Sequence, residues 1–281
     1  MMRVLITGAG SYIGQSIAAY LPKDRYEVRE LDVRNGLDET AFAGQDAVIH
    51  VAGIAHQKET PENAPLYHKV NCELAVETAR LAKQNDVKQF VFFSSMSVYG
   101  MTTGRITAQT QPAPNTHYGK SKWEAEQQMA ELADDMFRIA TLRPPMIYGP
   151  NCRGNYPRLA SLAGKLPLFP KVNNQRSMLY IGTLCAFVEK LLSSGRGGLY
   201  FPQNRKYVNT TDMVCAIARC RGKKMLVIPG FGWLISLAAS RVGVAGKVFG
   251  TLTYEMAMSK DFADDGQMHF EKTIQMTEDK R

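Results

Sequence analysis

Three stretches of this chain leave no polar face for water. RVLIT (3–7), DAVIHVAG (46–53) and QFVFFSS (89–95) are near-continuous apolar runs of strand length. A strand that is apolar on both sides must be covered on both sides, as in a parallel sheet with helices packed on each face. The intervening sequence supplies the helices. Helical patterns run from Tyr12 to about Leu21 and from about His117 to Ala133. A longer one places Val70, Leu74, Ala75, Thr78, Ala79 and Leu81 near helical spacing. EVREL (27–31) and FRIATLRP (137–144), the latter ended by Pro144, read as two further strands. The alternation predicts an α/β chain built on a doubly wound parallel sheet. Ligands of such sheets bind in the crevice outside the carboxyl ends of the strands.

After Arg143 the texture changes. Residues 144–175 are rich in Pro, Gly and Asn and read as loops around one short helix. A helix near 182–194 and a strand at LYFPQ (199–203) return to the sheet pattern, and 209–220 is again helical. The expected division is a cofactor domain over 1–145, rejoined by 182–203, and a smaller C-terminal cap over 146–281 that binds substrate. The 281 residues suffice for one large or two small domains. Five scattered cysteines, without a C-x-x-C pair, argue against a disulfide framework or zinc site and for a reducing cytoplasm. No His/Asp/Glu set has metal-ligand spacing, so no metal is expected. The net charge is +8, but no Lys/Arg run carries interleaved aromatics, so phosphorylated small ligands suit the charge better than nucleic acid. MLVIPGFGWLISLAAS (225–240) is apolar but interrupted by Pro229, Gly230 and Gly232. It falls short of the ~20 residues a membrane span needs and reads as a strand end, a turn and a buried helix, with a membrane-facing or partner-facing patch as the other reading.

The first turn, VLITGAGSYIG (4–14), holds Gly8, Gly10 and Gly14 in a G-x-G-x-x-x-G spacing. The dinucleotide fingerprint is one residue shorter, G-x-G-x-x-G. A glycine-rich turn from a first strand into a helix aims backbone N–H groups at a pyrophosphate. Tyr118 and Lys122 stand four apart on a predicted helix and share a face. A lysine ammonium beside a tyrosine, with a nicotinamide cation near, lowers a phenol pKa that starts near ~10. Such a tyrosine can exchange a proton with an alcohol while hydride moves at the same carbon. FFSSMSVYG (92–100) places Ser94, Ser95 and Ser97 at a strand's carboxyl end. Strand-end capping explains such serines as well as chemistry does.

Together these motifs resemble the extended short-chain dehydrogenase/reductase family, in its NAD-dependent nucleotide-sugar epimerase/dehydratase branch. The resemblance runs through Thr7–Gly14, His50–Gly53, Val70–Asn71, Ser94–Gly100, Tyr118/Lys122, Leu142–Pro150 and Arg176–Ile181. It implies a Rossmann-type fold that binds NAD, with NADP as the alternative, and a nucleoside-diphosphate sugar under the cap. It implies Ser95, Tyr118 and Lys122 as the catalytic set. Gly8, Gly10, Ser11, Tyr12, Ile13, Gly14, Asp32, Arg34, Val51, Ala52, Gly53, Asn71 and Pro145, with Tyr118 and Lys122, would meet the cofactor. Ser95, Asn155, Leu168 and Arg176 would meet the substrate, Arg176 at its diphosphate as a forked donor. A homodimer is the family expectation.

Two departures stand out. Ser11 occupies a position where the family carries glycine, so the backbone there cannot require a glycine-only conformation, and its hydroxyl could itself face a phosphate. ELDVRN supplies one acidic motif where the family has two; Asp32 suits the ribose of NAD, while Arg34 suits a 2′-phosphate. His56 could meet the substrate or lie in an exposed loop, and His117 reads as a helix-start residue. Within the family, dehydratases follow the catalytic hydroxyl with Asp-Glu; Met96 and Ser97 stand here, which sets dehydration aside. C4 epimerisation is the preferred reading, 4-keto reduction the alternative, and a non-catalytic cofactor-binding protein of the same fold the third.

Overall fold

In the computed structural model the apolar runs form the centre of a six-stranded parallel sheet. The structure describes residues 1–55, 57–230, 249–262 and 268–279. The sheet strands are β1 (Met2–Thr7), β2 (Tyr26–Leu31), β3 (Ala47–His50), β4 (Gln89–Phe93), β5 (Arg138–Leu142) and β6 (Gly198–Tyr200). Their order is β2-β1-β3-β4-β5-β6, and every neighbouring pair is parallel. β3 and β4 are buried along their whole length. The helices of this unit include α1 (Tyr12–Tyr20), α2 (Ala64–His68), α3 (Leu74–Gln84) and α4 (His117–Leu132).

The sheet stops at β2, which explains the single acidic motif. Residues 32–46 contain no strand; they hold a 3₁₀ turn, Glu39–Phe42, whose Ala41 and Phe42 are buried. The chain therefore passes from β2 directly to β3 on the other side of β1. This order places the topological switch between β1 and β3. There Gly8 has φ +98°, and a Cβ on it would stand 2.8 Å from the backbone nitrogen of Ala52.

The long helical pattern after residue 63 is not one helix. α2 and α3 are joined by a π-helical turn, Lys69–Glu73, in which Asn71 and Cys72 are buried. A π turn inserts an extra residue into the helical period, so the spacing in the sequence does not reveal it.

Residues Met1–Gly100, Gln111–Pro144 and Leu184–Pro202 make up this first unit. Met101–Thr110, Pro145–Thr183 and Gln203–Arg281 make up a second. The second unit contains α5 (Asn155–Lys165), α7 (Thr210–Cys220) and the helix Phe270–Glu278; α6 (Ile181–Ser194) ends in the first unit. Its strands pair as short parallel ladders: Gly104–Ile106 with Leu252–Tyr254, Met146–Tyr148 with Met178–Tyr180, and Leu168–Pro170 with Leu226–Ile228. Inside it Tyr148 stacks on Tyr156 at 5.7 Å and hydrogen-bonds Thr273 at 2.7 Å. Within the apolar 225–240 stretch, Leu226–Ile228 is a strand; residues 231–240, and with them the membrane-facing or partner-facing reading, lie outside the described residues. Among the described residues no helix is long and apolar enough to cross a membrane.

The loop geometry separates two glycines. Gly10 has φ +76° but open space where a Cβ would sit. Gly10→Ala is expected to lose about 1–2 kcal/mol of stability, the cost of a left-handed L residue. Gly8→Ala is expected to lose clearly more, because it adds the collision with Ala52. Urea unfolding of both variants measures the difference; equal losses would rule out a packing role for Gly8.

Candidate active site

The cofactor loop is built by short contacts at the switch point. The N–H groups of Gly8 and Ala9 both donate to the carbonyl of Leu31, at 2.9 and 3.1 Å, tying the loop to the end of β2. Ser11 has φ −72°, an ordinary value, and its hydroxyl accepts from the N–H of Gly14 at 3.2 Å. Ser11 is therefore the N-cap of α1, a role that glycine fills less well. The positive φ falls on Gly10 instead. A Cβ on Gly14 would stand 3.1 Å from Val51 and 3.2 Å from Ile6, so this glycine sets the approach of helix to sheet. The first turn of α1, with Tyr12 and Ile13, carries no acidic residue. A diphosphate is compatible with that turn.

Asp32 and Arg34 sit at the exposed end of β2 and hold each other. Both carboxylate oxygens of Asp32 accept from Arg34 Nε at 3.0 Å, and the Arg34 N–H donates to Asp32 Oδ1 at 3.0 Å. These bonds hold the Asp32 carboxyl at about 2. Glu30, which sequence reasoning passed over, accepts from the N–H of Gly10 at 3.2 Å. Its alternation on an exposed edge strand was the available signal.

Ser95 caps the 3₁₀ turn Met96–Tyr99, its hydroxyl accepting from the N–H of Ser97 at 3.1 Å. The Ser95 hydroxyl also acts on the Tyr118 phenol and pulls its pKa down. Burial outweighs that pull and pushes Tyr118 upward, with Tyr67 adding to the rise. Burial of the phenol is therefore the largest influence on Tyr118. Lys122 is itself buried, its ammonium 4.8 Å above the Phe92 ring, and burial lowers its pKa to about 8. The backbone is fixed around these groups. Glu59 accepts from the N–H groups of His117 and Tyr118 at 2.7 and 3.3 Å, and Thr116 caps Gly119 at 3.0 Å. No sequence signal near Tyr118 announces Glu59, which lies 58 residues before His117.

Asn71 is fully buried and clasps both backbone groups of Ile54, at 2.8 and 3.0 Å, and also Ser121 at 3.3 Å. A Cβ on Gly53 would stand 2.8 Å from Asn71 Oδ1 and 3.4 Å from Lys122 Nζ. Gly53, Asn71 and Lys122 therefore meet at one place. Pro145 belongs to the second unit. In that unit Asn155, at the start of α5, and Arg176 line the same small cavity with Thr210 and apolar side chains. Arg176 is largely buried; its Nη1 donates to the Gly250 carbonyl at 2.7 Å, and its Nε meets no partner among the described residues. Burial lowers its pKa to about 10. Leu168 is exposed and is not part of that cavity. His117 is the first residue of α4, and His56 lies outside the described residues. Folding also brings His68, Cys72 and Glu124 within 4.8 Å of one another, across two helices that sequence spacing could not join.

Residues 4–200 match the model of the NAD dependent epimerase/dehydratase family. The chain belongs to that family. It is 27% identical over 290 residues to a UDP-glucose 4-epimerase of Vibrio cholerae, covering 92% of this chain and 88% of the relative. It is 27% identical over 246 residues to an N-acetyl-alpha-D-glucosaminyl-diphospho-ditrans,octacis-undecaprenol 4-epimerase of Escherichia coli O157:H7, covering 79% of this chain and 73% of that one. Among solved structures, a UDP-glucuronic acid 4-epimerase of Bacillus cereus in complex with NAD is similar with a TM-score of 0.77, at 18% identity, over 99% of this chain and 96% of that one. That last likeness establishes the fold.

His50, of the H-x-A-G motif, is fully buried at the end of β3. Its Nδ1 shares a hydrogen bond with Thr7 at 2.8 Å, and its Nε2 has no partner among the described residues. Burial, helped by the Lys122 charge, lowers its pKa to about 3. The imidazole is thus neutral in the folded chain, while the unfolded chain binds a proton below about 6.5. Stability attached to His50 is present above that value and is lost as pH falls toward 3, by at most ~1.4 kcal/mol per pH unit. His50→Gln is expected to flatten the acid limb of the stability profile. Urea unfolding from pH 7 to 4 compares the slopes; parallel slopes for both proteins would contradict the assignment.

Proposed function

We propose that this family member is a C4 epimerase of a diphosphate-linked hexose or N-acetylhexosamine, with a UDP-sugar as the preferred substrate. The observation that carries the reading is the buried Tyr118 with Lys122 one turn along the same helix, and Ser95 at the carboxyl end of β4 close enough to pull the Tyr118 phenol pKa down. The two relatives at 27% identity are both 4-epimerases, which supports the same reaction.

In this reading the first unit holds NAD. The cradle at Gly8, the acid-free first turn of α1 and the carboxylates of Asp32 and Glu30 fit the cofactor, and two acids beside the loop favour NAD over the extra phosphate of NADP. When bound there, NAD would supply a reversible acceptor for the C4 hydride. Tyr118 takes the proton of the C4 hydroxyl as the hydride leaves, and returns it once the sugar has presented its other face. Ser95 hydrogen-bonds the same oxygen and keeps it aligned with Tyr118. Lys122 places a positive charge beside the cofactor and so opposes the upward push of burial on Tyr118. In the second unit Arg176 and Asn155 are assigned to the substrate, Arg176 through its buried guanidinium at the diphosphate.

The test needs no external reductant. Purified protein incubated with UDP-glucose or UDP-N-acetylglucosamine, without added NAD(H), is expected to yield the C4 epimer by chromatography. Tyr118→Phe is expected to lower turnover by about 10²–10⁴-fold, the usual worth of a general acid/base, while cofactor affinity stays near that of the unmodified protein. Turnover only when a 4-keto sugar and NAD(P)H are supplied would replace epimerisation by reduction. NAD binding with no turnover on any nucleotide sugar would favour a binding protein.

A further inference from the structure

Directly behind the Ser95, Tyr118 and Lys122 constellation lies a second set of polar groups that the reaction above does not use. Glu126 follows Lys122 by four residues on α4 and therefore occupies the same face. It is 8% exposed, and Arg143 beyond the end of β5 is 4% exposed. Arg143 Nε donates to both Glu126 oxygens at 3.0 and 3.1 Å, and Nη2 to Oε2 at 2.5 Å. Ser94, the neighbour of Ser95, donates its hydroxyl to Glu126 Oε1. Arg143 Nη1 donates to the Tyr99 hydroxyl at 2.8 Å, and the guanidinium lies 5.3 Å from the centre of the Trp123 ring.

Burying two charges is not needed to join a strand to a helix. Apolar side chains of similar volume do that as well or better. The location of the pair is what requires explanation. The backbone that carries Ser95 is pinned to the Arg143 segment on both sides: Ser94 N–H donates to the Leu142 carbonyl at 2.8 Å, and Met96 N–H to the Pro144 carbonyl at 3.0 Å. The Glu126 carboxylate is thus bonded to the strand end that presents Ser95, bonded to the segment after β5, and carried by the helix that presents Tyr118 and Lys122.

We propose that Glu126 is a positioning residue, whose carboxylate, locked by Arg143 and Ser94, holds the α4 face of Tyr118 and Lys122 in register with Ser95. The other groups facing Lys122 are few. Tyr118 stands on its own helix, the Cys72 thiol on the Lys69–Glu73 turn, neutral His50 on β3 and the Phe92 ring on β4; Arg143, from β5, reaches it only across Glu126. Glu126 comes first among the groups that oppose the loss of the Lys122 proton on burial. Arg143 prevents the carboxylate from rotating away or taking up a proton. The proposal rests on the catalytic reading of Tyr118 and Lys122, and its test separates the two.

Glu126→Gln removes the charge but strands Arg143 in the interior. The decisive variant is therefore the neutral pair Glu126→Leu with Arg143→Met, which keeps side-chain volume, compared with the single change and with Glu126→Asp. In the cofactor-free protein, an NMR titration of the Lys122 side chain is expected near pH 8 for the unmodified chain and at least one pH unit lower in the neutral pair. On the epimerase substrate, the neutral pair is expected to lose at least tenfold in kcat with KM within about twofold, and the alkaline limb of its kcat/KM profile moves down by the same amount as the titration. Glu126→Asp is expected to recover part of kcat and most of the limb. A folded neutral pair with unchanged Lys122 titration and unchanged alkaline limb would overturn the proposal and leave Glu126 and Arg143 as packing. An unmodified protein without turnover would overturn the catalytic reading instead, and the titration would still decide the electrostatic role of Glu126.

Discussion

The close approach of two strand ends governs this structure. β1 and β3 lie side by side, and the chain leaves them with Gly8 against Ala52, closer than any side chain on residue 8 would allow. Everything chemical in the first unit is arranged around that contact. Gly8 and Ala9 reach back to Leu31 at the end of β2, so the acids Asp32 and Glu30 sit beside the loop. Asn71 clasps Ile54 just past Gly53, where a Cβ on Gly53 would meet Asn71 Oδ1 and Lys122 Nζ. In open parallel sheets a ligand crevice lies where the strand order reverses, and β1 and β3 are the neighbours at that reversal.

Burial acts on the reactive groups in opposite senses. It raises the phenol of Tyr118 and lowers the ammonium of Lys122, so in each case it favours the neutral form. Tyr118 can serve as a proton carrier only if other charges offset this. The chain provides a hydroxyl at Ser95 for Tyr118 and a carboxylate at Glu126 for Lys122. Arg143 balances the carboxylate, and three aromatic rings, Tyr99, Trp123 and Phe201, surround the guanidinium. Arg143 and Glu126 thus form a charge-compensated buried pair next to Lys122 on α4.

Much of the first unit was legible in the sequence because strands buried on both faces have no polar alternation to blur them. Strand positions agree within a few residues, and Tyr118 and Lys122 lie on one helix at the spacing that puts them on one face. The burial of the Tyr118 phenol escaped the reading, because burial is a property of the packed surroundings and leaves no mark on a Y-x-x-x-K spacing. Ser11 illustrates a partial reading. The sequence excluded a glycine-only conformation there, but only the structure showed a helix cap with the left-handed residue displaced to Gly10. The π turn at Lys69–Glu73 escaped because an inserted residue breaks the periodicity on which helix reading depends.

Local patterns, by themselves, determined the α/β alternation, the glycine turn, the serine-rich strand end and the tyrosine–lysine helix face. Each of these depends on neighbours within about ten residues, through φ/ψ preference or side-chain period. Tertiary structure alone decided which distant groups would partner them. Glu59 reaches the start of α4, Arg143 finds Glu126 and Ser94, and Arg176 joins Asn155 around one cavity. These pairings arise when strands far apart in sequence take adjacent places in the sheet, or helices close on one another, and desolvation then makes a buried charge intolerable without its partner. The physical reason lies in range: hydrophobic periodicity is written along the chain, whereas charge compensation is settled only where the chain meets itself.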